Sequence, residues 1–180
     1  MDRTLVLETE FRTGAGTVVL QDVMPAGISE HGHELGSAAP HAVLRCVSCT
    51  AGDVEMEIEY APRAEYGLVT PLLTRTEGGA AGRVGATVLL LSAPIELTIA
   101  DSAVRARFTL RVGEAACFAL QHRSISEPAP RHLRQPEIRH RIADTTMAWQ
   151  SWSALHQQYD GPMAGAGPAQ RSSSAGPHVL

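Results

Sequence analysis

The chain has 180 residues, about the size of one domain, and its 44% of hydrophobic residues are enough to build a core. A net charge of −4 excludes the basic surface that nucleic-acid binding requires. The longest apolar run, residues 86–91, is far shorter than the ~20 residues that cross a bilayer, and the first residues lack the basic and apolar parts of a signal peptide. We therefore expect one cytoplasmic domain, with neither a nucleic-acid nor a membrane partner.

Residues 1–123 carry the pattern of a mainly β domain. Hydrophobic and polar residues alternate with a period of two, as they do in strands with one buried face. Gly-containing turn signals lie at 13–16, 51–53 and 78–82, and Pro71 confines its segment to a sheet edge or a bulge. Short strands at this regular spacing predict an antiparallel β-sandwich. The predicted strands cover 4–11, 17–24, 43–47, 54–60, 66–74, 84–91, 95–99, 104–112 and 115–122.

The composition changes after residue 123. Residues 124–136 are rich in proline, which predicts a linker that does not pair with the sheet. From Glu137 to Tyr159 hydrophobic residues recur three, four or seven positions apart, and Pro136 precedes them, which predicts one amphipathic helix over 137–160. Residues 161–180 offer little to bury, so we expect a disordered tail.

The three cysteines are expected to be free thiols. Cys46, Cys49 and Cys117 are an odd number in a sequence without a secretory signal. The spacing of Cys46 and Cys49 is typical of zinc and redox sites, but no second pair completes four zinc ligands. The pair also ends a strand-like run, whereas a redox pair begins a helix. We interpret this motif as structural.

A histidine-rich segment is the second metal candidate. His31 and His33 lie beside Glu30 and Glu34, with His41 nearby, and imidazole and carboxylate both suit zinc. Because the segment is a Gly-rich loop without a rigid frame, the sequence favours a mobile surface loop over a metal site. Neither a metal nor a cofactor is predicted.

Glutamates repeat along two predicted strands. Glu8 and Glu10, and likewise Glu55, Glu57 and Glu59, lie two residues apart, or roughly 7 Å on one face. An inverting glycosidase needs two carboxyl groups about 6.5 to 9.5 Å apart, one of them in an apolar pocket. Alternating glutamates on an open strand face are solvated, so the sequence favours a plain wet face.

The helix carries further candidate residues. Trp149 and Trp152 could form a sugar-stacking platform, but at this spacing the commoner use of two indoles is to dock a helix on a sheet. Ser151, Ser153 and His156 share the helix, yet the sequence has no Gly-x-Ser-x-Gly motif that would expose a nucleophile. No catalytic triad is predicted.

Short motifs lie along residues 4–162. They are LVLETEF at 5–11, GTV at 16–18, DVMP at 22–25, VLR at 43–45, VEM at 54–56, PRAEYG at 62–67, ARF at 106–108, VGE at 112–114 and YDGP at 159–162. In their residues and their order these motifs resemble the N-terminal β-sandwich domain of bacterial glycoside hydrolase family 15, the glucoamylase and trehalase group.

The resemblance implies a supersandwich-like domain and a linker helix that packs against a six-fold α/α barrel. In the family that barrel carries the catalytic acid and base glutamates. No position here matches either glutamate, so no catalytic residue is assigned, and the resemblance implies a truncated domain that is inactive alone. The expected partner is the barrel, missing here or supplied by a separate chain. The expected interface residues are Arg63, Tyr66, Gly67, Trp149, Trp152 and Tyr159.

Two alternatives remain open at the level of the sequence. The domain could be a standalone carbohydrate-binding module for α-glucan or trehalose, or a small hydrolase that uses its strand glutamates. The sequence does not distinguish trehalose, starch-type glucan or another α-glucoside as the parent substrate. We also expect self-association through the helix face that the barrel would cover.

Overall fold

The computed structural model describes residues 3–156 and has the predicted fold class, antiparallel β-structure followed by one helix. The predicted tail and Tyr159 lie outside the described residues. Short 3-10 turns lie at Gly32–Glu34 and Glu65–Gly67. The described elements are β1 (Leu7–Arg12), β2 (Gly16–Val23), β3 (Ala42–Tyr60), β4 (Leu72–Thr76), β5 (Gly79–Val84), β6 (Thr87–Ser92), β7 (Thr98–Ala100), β8 (Ala103–Arg111), β9 (Ala115–Ser124) and α1 (Gln135–His156).

The strands form two layers that share one strand. The larger layer has the order β1-β2-β3-β9-β6-β5-β4, and all its neighbours are antiparallel. The second half of β3 pairs instead with β8, which also pairs with β7. β3 therefore passes from one layer of the sandwich into the other.

β3 remains continuous because two glycines allow its bend. Gly52 has a φ of +68°, and a Cβ on it would lie 2.0 Å from the carbonyl oxygen of Ala15. Its cross-strand partner Gly16 is restricted in the same way, since a Cβ there would lie 2.1 Å from the carbonyl oxygen of Ala51. The sequence predicts a turn at 51–53 that separates two strands. That prediction is wrong, because the chain bends at this point and pairs on both sides of the bend.

The main core lies between the two layers. Val54, Met56 and Ile58 of β3 are buried there, and they pack in one cluster with Val104 of β8 and Phe118 of β9. The alternating residues of β3 point outward, as the period-two pattern predicts.

A second core lies under α1, on the outer face of the larger layer. Ile138 and Ile142 are at most 5% exposed and pack with Leu44 of β3 and Ala119 of β9. Burying each isoleucine contributes about 1.5–3 kcal/mol. The predicted amphipathic helix is confirmed over its described residues. β3 and β9 are consequently buried on both faces along the segment where they pair.

Two boundaries differ from the prediction. Residues 79–92 form the hairpin β5–β6, where the sequence predicts a break at 78–82 and one buried strand over 84–91. The small residues of β5 hide its strand pattern, and Gly79 is required because a Cβ there would lie 1.9 Å from the carbonyl oxygen of Leu91. Residues 65–67 form a turn in place of a strand, and β4 lies at the sheet edge, as Pro71 predicts.

The prediction of three free thiols is wrong. Cys46 of β3 lies directly opposite Cys117 of β9, with Cα atoms 4.1 Å apart, and the two sulfurs form a disulfide. Cys49 is free and buried. The Cys46-x-x-Cys49 motif is indeed structural, but three residues along a strand place its cysteines on opposite faces. Cys46 lies in the core under α1 and Cys49 in the core between the layers.

Replacing both Cys46 and Cys117 by Ala should lower the free energy of unfolding by about 4 kcal/mol, because the bond links residues 71 positions apart and restricts the unfolded chain. Urea denaturation without reductant measures this loss. Cys49→Ala serves as the control, since it removes a buried sulfur without removing a cross-link. An unchanged urea midpoint of the native chain after addition of reductant would contradict the assignment.

Candidate functional site

The predicted interface residues lie in two different parts of the molecule. Arg63, Tyr66 and Gly67 are in the loop of residues 61–71, which leads from β3 to the edge strand β4. Trp149 and Trp152 are on α1, which packs on β9, on β3 and on the 3-10 turn at 32–34. The structure therefore does not join the two groups into one site.

The backbone of the 61–71 loop is strained. Glu65 and Tyr66 have φ values of +48° and +57°, and Gly67 follows with +89°. A non-glycine residue in this region costs on the order of 1–3 kcal/mol. Hydrogen bonds to the carbonyl oxygen of Ala64, from the backbone N–H of Gly67 (2.9 Å) and of Val69 (3.3 Å), maintain the conformation.

This strained loop presents large hydrophobic side chains to solvent. Tyr66 is fully exposed, Leu68 is 87% exposed, and Leu72 at the start of β4 is 68% exposed. Arg63 is exposed beside them, and its guanidinium donates to the carbonyl oxygen of Pro62 at 3.3 Å. We call residues 61–72 the Tyr66 loop. Its hydrophobic side chains make no core, so they are available to a partner.

The aromatic residues of α1 form a row with two histidines. The Trp149 and Trp152 rings meet edge to face with centroids 5.8 Å apart, and His156 stacks on Trp152 at 4.3 Å. His33 packs on His156 edge to face at 4.8 Å. Because His156 covers one face of Trp152, that face is not open to a sugar ring.

A buried carboxylate organises the histidine-rich loop. Glu30 is 6% exposed and accepts four hydrogen bonds, from Ser37 Oγ (2.9 Å) and from the backbone N–H groups of Gly27 (2.8 Å), Gly36 (2.7 Å) and Ala38 (2.6 Å). Burial by itself would raise the pKa of Glu30, but the hydrogen bonds from Ala38, Gly36, Gly27 and Ser37 outweigh it and lower the pKa to about 2.

The same loop is fastened to α1 at three points. Ser151 Oγ accepts from the backbone N–H of Gly32 at 3.0 Å, and Asp144 Oδ2 accepts from that of Ser29 at 3.0 Å. The backbone N–H of Ala26 donates to Thr145 Oγ1 at 3.2 Å. The expectation of a mobile loop without a frame is therefore wrong, because an internal carboxylate and polar groups on the helix satisfy its backbone.

The candidate metal ligands make contacts other than metal coordination. His33 packs on His156, and a ring nitrogen of His31 contacts the carbonyl oxygen of Glu30. Glu30 is occupied by its loop. Within residues 3–156, no three His, Cys, Asp or Glu side chains are arranged to hold a metal ion.

The strand glutamates form ion pairs across the smaller layer. Glu57 pairs with Arg107 (3.0 Å) and Glu59 with Arg105 (2.7 Å), and each pair consists of cross-strand neighbours on β3 and β8. Exposed pairs of this kind contribute about 0–1 kcal/mol. Glu55 is exposed opposite Thr109. The predicted wet face agrees with this arrangement, and no apolar pocket surrounds these carboxylates.

One part-buried polar cluster was not foreseen from the sequence. His132 Nε2 lies 2.9 Å from Thr76 Oγ1, and His132 Nδ1 lies 3.3 Å from Ser92 Oγ. Ser92 is fully buried and accepts from the backbone N–H of Leu133 at 3.0 Å, so it anchors the linker and is not a presented nucleophile. Burial lowers the pKa of His132. Residues 40 positions apart in the sequence meet here, and no local pattern signals that contact.

Two surface depressions are large enough for small molecules. A cleft of about 500 Å³ lies at the β4–β5 turn and is lined by the charged residues Arg75, Glu77 and Glu96 and by apolar residues that include Pro94 and Leu97. No aromatic side chain lines this cleft, which gives sugar stacking no support there. A second depression of about 370 Å³, the α1 groove, lies between α1 and the larger layer. The α1 groove is lined by Gln21, Cys46, Arg139, Ile142, Ala143, Thr146 and Met147.

Comparison with known proteins does not show a family for this chain. No protein-family model matches the sequence, and no curated protein matches it at a significant level. No helix among residues 3–156 is long and apolar enough to span a membrane.

Glu30→Gln should lower the melting temperature at neutral pH by several degrees, because the amide cannot accept all four hydrogen bonds. The pKa of Glu30 is lowered from 4.5 to about 2, so its ionised form stabilises the fold above pH 4.5, and this stabilisation is lost as the pH falls from 4.5 towards 2. In thermal melts between pH 7 and pH 2.5, the melting temperatures of the native chain and of Glu30→Gln should therefore differ most at pH 7 and least at pH 2.5. Glu34→Gln, on the exposed side of the same loop, is the control. Equal losses for both variants would argue against the role of Glu30.

Proposed function

We propose that this chain is the non-catalytic β-sandwich domain of a glycoside hydrolase family 15 protein of the trehalase or glucoamylase type, and that it serves as a scaffold against which a catalytic α/α barrel packs. The motif series between residues 4 and 162 suggests the family. Nothing in the described residues supplies a pair of catalytic carboxyl groups, so hydrolysis is assigned to the barrel.

The architecture supports a scaffold role. A two-layer sandwich carries a helix on its outer face, and that helix is fixed by two buried isoleucines and by the loop around Glu30. Such a frame holds its surface loops in defined positions, as a domain that orients another domain must do.

The observation that carries the proposal is the Tyr66 loop. Its backbone is strained, and it exposes Tyr66 and Leu68 almost completely. Exposed aromatic side chains are typical anchors of protein interfaces, where their burial contributes much of the binding energy. The second contact surface is the exposed side of α1, where Met147 and Leu155 are each 54% exposed.

The docking test first searches the DNA beside this gene, in all three reading frames, for a family 15 barrel, and its absence would count against the proposal. A barrel that is found is then mixed with this chain. We expect the two to elute together in size-exclusion chromatography. The double variant Tyr66→Ala, Leu68→Ala should weaken the complex at least about tenfold, since interface anchors typically contribute more than 1 kcal/mol.

Ile125→Ala is the control for this experiment, because Ile125 is also an exposed hydrophobic residue (54%) and lies in a different loop. It should leave the affinity unchanged. Failure of the native chain to bind the barrel, or equal affinity of the double variant, would overturn the proposed role of the Tyr66 loop.

The carbohydrate-binding alternative is tested on the chain alone. Titration calorimetry with trehalose and with maltooligosaccharides should give no heat of binding, and incubation with either sugar should release no glucose. Saturable binding would favour a standalone carbohydrate module. Glucose release that disappears in Glu55→Gln or Glu57→Gln would favour a small hydrolase.

A further inference from the structure

We propose that the Cys46–Cys117 disulfide is a thiol–disulfide exchange site, and that a small anionic thiol of the glutathione class reaches it by entering the α1 groove and attacking Cys46. This proposal does not rest on the proposed function. It rests on the position of the two sulfurs relative to the groove.

Access distinguishes the two cysteines. Cys46 lines the α1 groove and is 5% exposed, whereas Cys117 does not line it and is 1% exposed. Cys117 lies on the strand side that is covered by the start of α1, where the side chain of Gln135 accepts from its backbone N–H at 3.1 Å. A reagent in the groove therefore meets the sulfur of Cys46 first.

The strand order gives the attack its required direction. A thiolate approaches a disulfide sulfur from the side opposite the sulfur that leaves. β3, which carries Cys46, lies between β2 and β9. Cys117 on β9 is therefore on one side of Cys46, and Gln21 on β2, which pairs with Cys46 across the strands, is on the other side. Gln21 and Cys46 line the groove together. The groove thus opens on the side of Cys46 that faces away from Cys117.

The charge of the groove selects the reagent. Arg139 is exposed at its wall, and among residues 3–156 no carboxylate forms an ion pair with it. A guanidinium attracts anionic thiols and stabilises the attacking thiolate. Ile142 and Met147 provide an apolar wall for the body of a small molecule. On the β2 side, the amide of Gln21 donates to the carboxylate of Glu8 at 3.2 Å, which ties that charge to the sheet.

The exchange takes place in two steps, in which atoms and electrons balance. A first thiolate bonds to Cys46 Sγ, the Cys46–Cys117 bond breaks, and Cys117 leaves as a thiolate that takes a proton from solvent. A second thiolate attacks the reagent sulfur of this mixed disulfide, and Cys46 leaves and is protonated in the same way. Two reagent thiols are oxidised to one disulfide, and the protein disulfide is reduced to two cysteines.

Reduction acts at the centre of the fold. The bond joins β3 and β9 directly beneath Ile138 and Ile142 of α1. Opening it removes the covalent link between the strands on which the helix is packed, so the exchange couples thiol availability to the stability of that packing. A cytoplasmic protein, as the sequence predicts, would meet such thiols continuously.

The test exposes the oxidised chain to reduced glutathione, quenches with N-ethylmaleimide and maps the peptides by mass spectrometry. We expect the trapped intermediate to carry glutathione on Cys46 and N-ethylmaleimide on Cys117. The rate should rise in proportion to glutathione concentration. The proposal would be overturned if glutathione were found mainly on Cys117, or if air-oxidised protein lacked the disulfide. A rate that does not depend on glutathione concentration would also overturn it, because exchange would then be limited by unfolding.

A charge comparison tests the role of Arg139. Arg139→Gln should slow exchange with glutathione several-fold and leave exchange with cationic cysteamine unchanged or faster. Arg134→Gln removes the same charge from an exposed residue that does not line the groove, and it should alter neither rate. Equal effects of the two variants, or an equal effect of Arg139→Gln on both thiols, would show that the groove does not select the reagent.

Discussion

The fold depends on the sharing of β3 between two layers. One half of this strand has β2 and β9 as neighbours, and the other half pairs with β8. Gly16 and Gly52 face each other at the bend, where any side chain would overlap a carbonyl oxygen. The bend brings the smaller layer over the larger one and closes the main core. It also leaves the outer face of β3 and β9 free for α1, so both cores depend on the same strand.

The second level of organisation is polar. The loop between β2 and β3 has little hydrophobic surface to bury, and it is ordered by the carboxylate of Glu30 and by hydroxyl and carboxylate groups of α1. Side-chain oxygens accept hydrogen bonds from six backbone N–H groups of this loop, those of Ala26, Gly27, Ser29, Gly32, Gly36 and Ala38. This polar network fixes the direction of the helix C-terminal half, on which Trp149, Trp152 and His156 are aligned.

The surface divides into regions with different roles. The ion pairs across β3 and β8 cover a solvated face, whereas the Tyr66 loop and the exposed residues of α1 present hydrophobic groups. A partner interface on the loop would use the exposed side chains of Tyr66 and Leu68, and the α1 groove would admit a small thiol to the centre of the sheet. The proposed scaffolding and the proposed thiol exchange would meet at α1, because Met147 belongs both to the exposed side of the helix and to the groove.

Periodicity and turn chemistry in the sequence determined the fold class, the outward direction of Glu55, Glu57 and Glu59, the edge position of β4 and the start of α1, because these follow from neighbours a few residues apart. Helical spacing likewise placed Trp149 and Trp152 on one side of the helix, whereas only the family resemblance suggested Tyr66 as an interface residue. Local patterns could not show that residues 51–53 bend a continuous strand or that the small residues of β5 pair. They also could not place Cys117 opposite Cys46, or His132 between Thr76 and Ser92. Those features were decided by tertiary structure, since each is a contact between segments far apart in the chain, set by which strands become neighbours in the sheet.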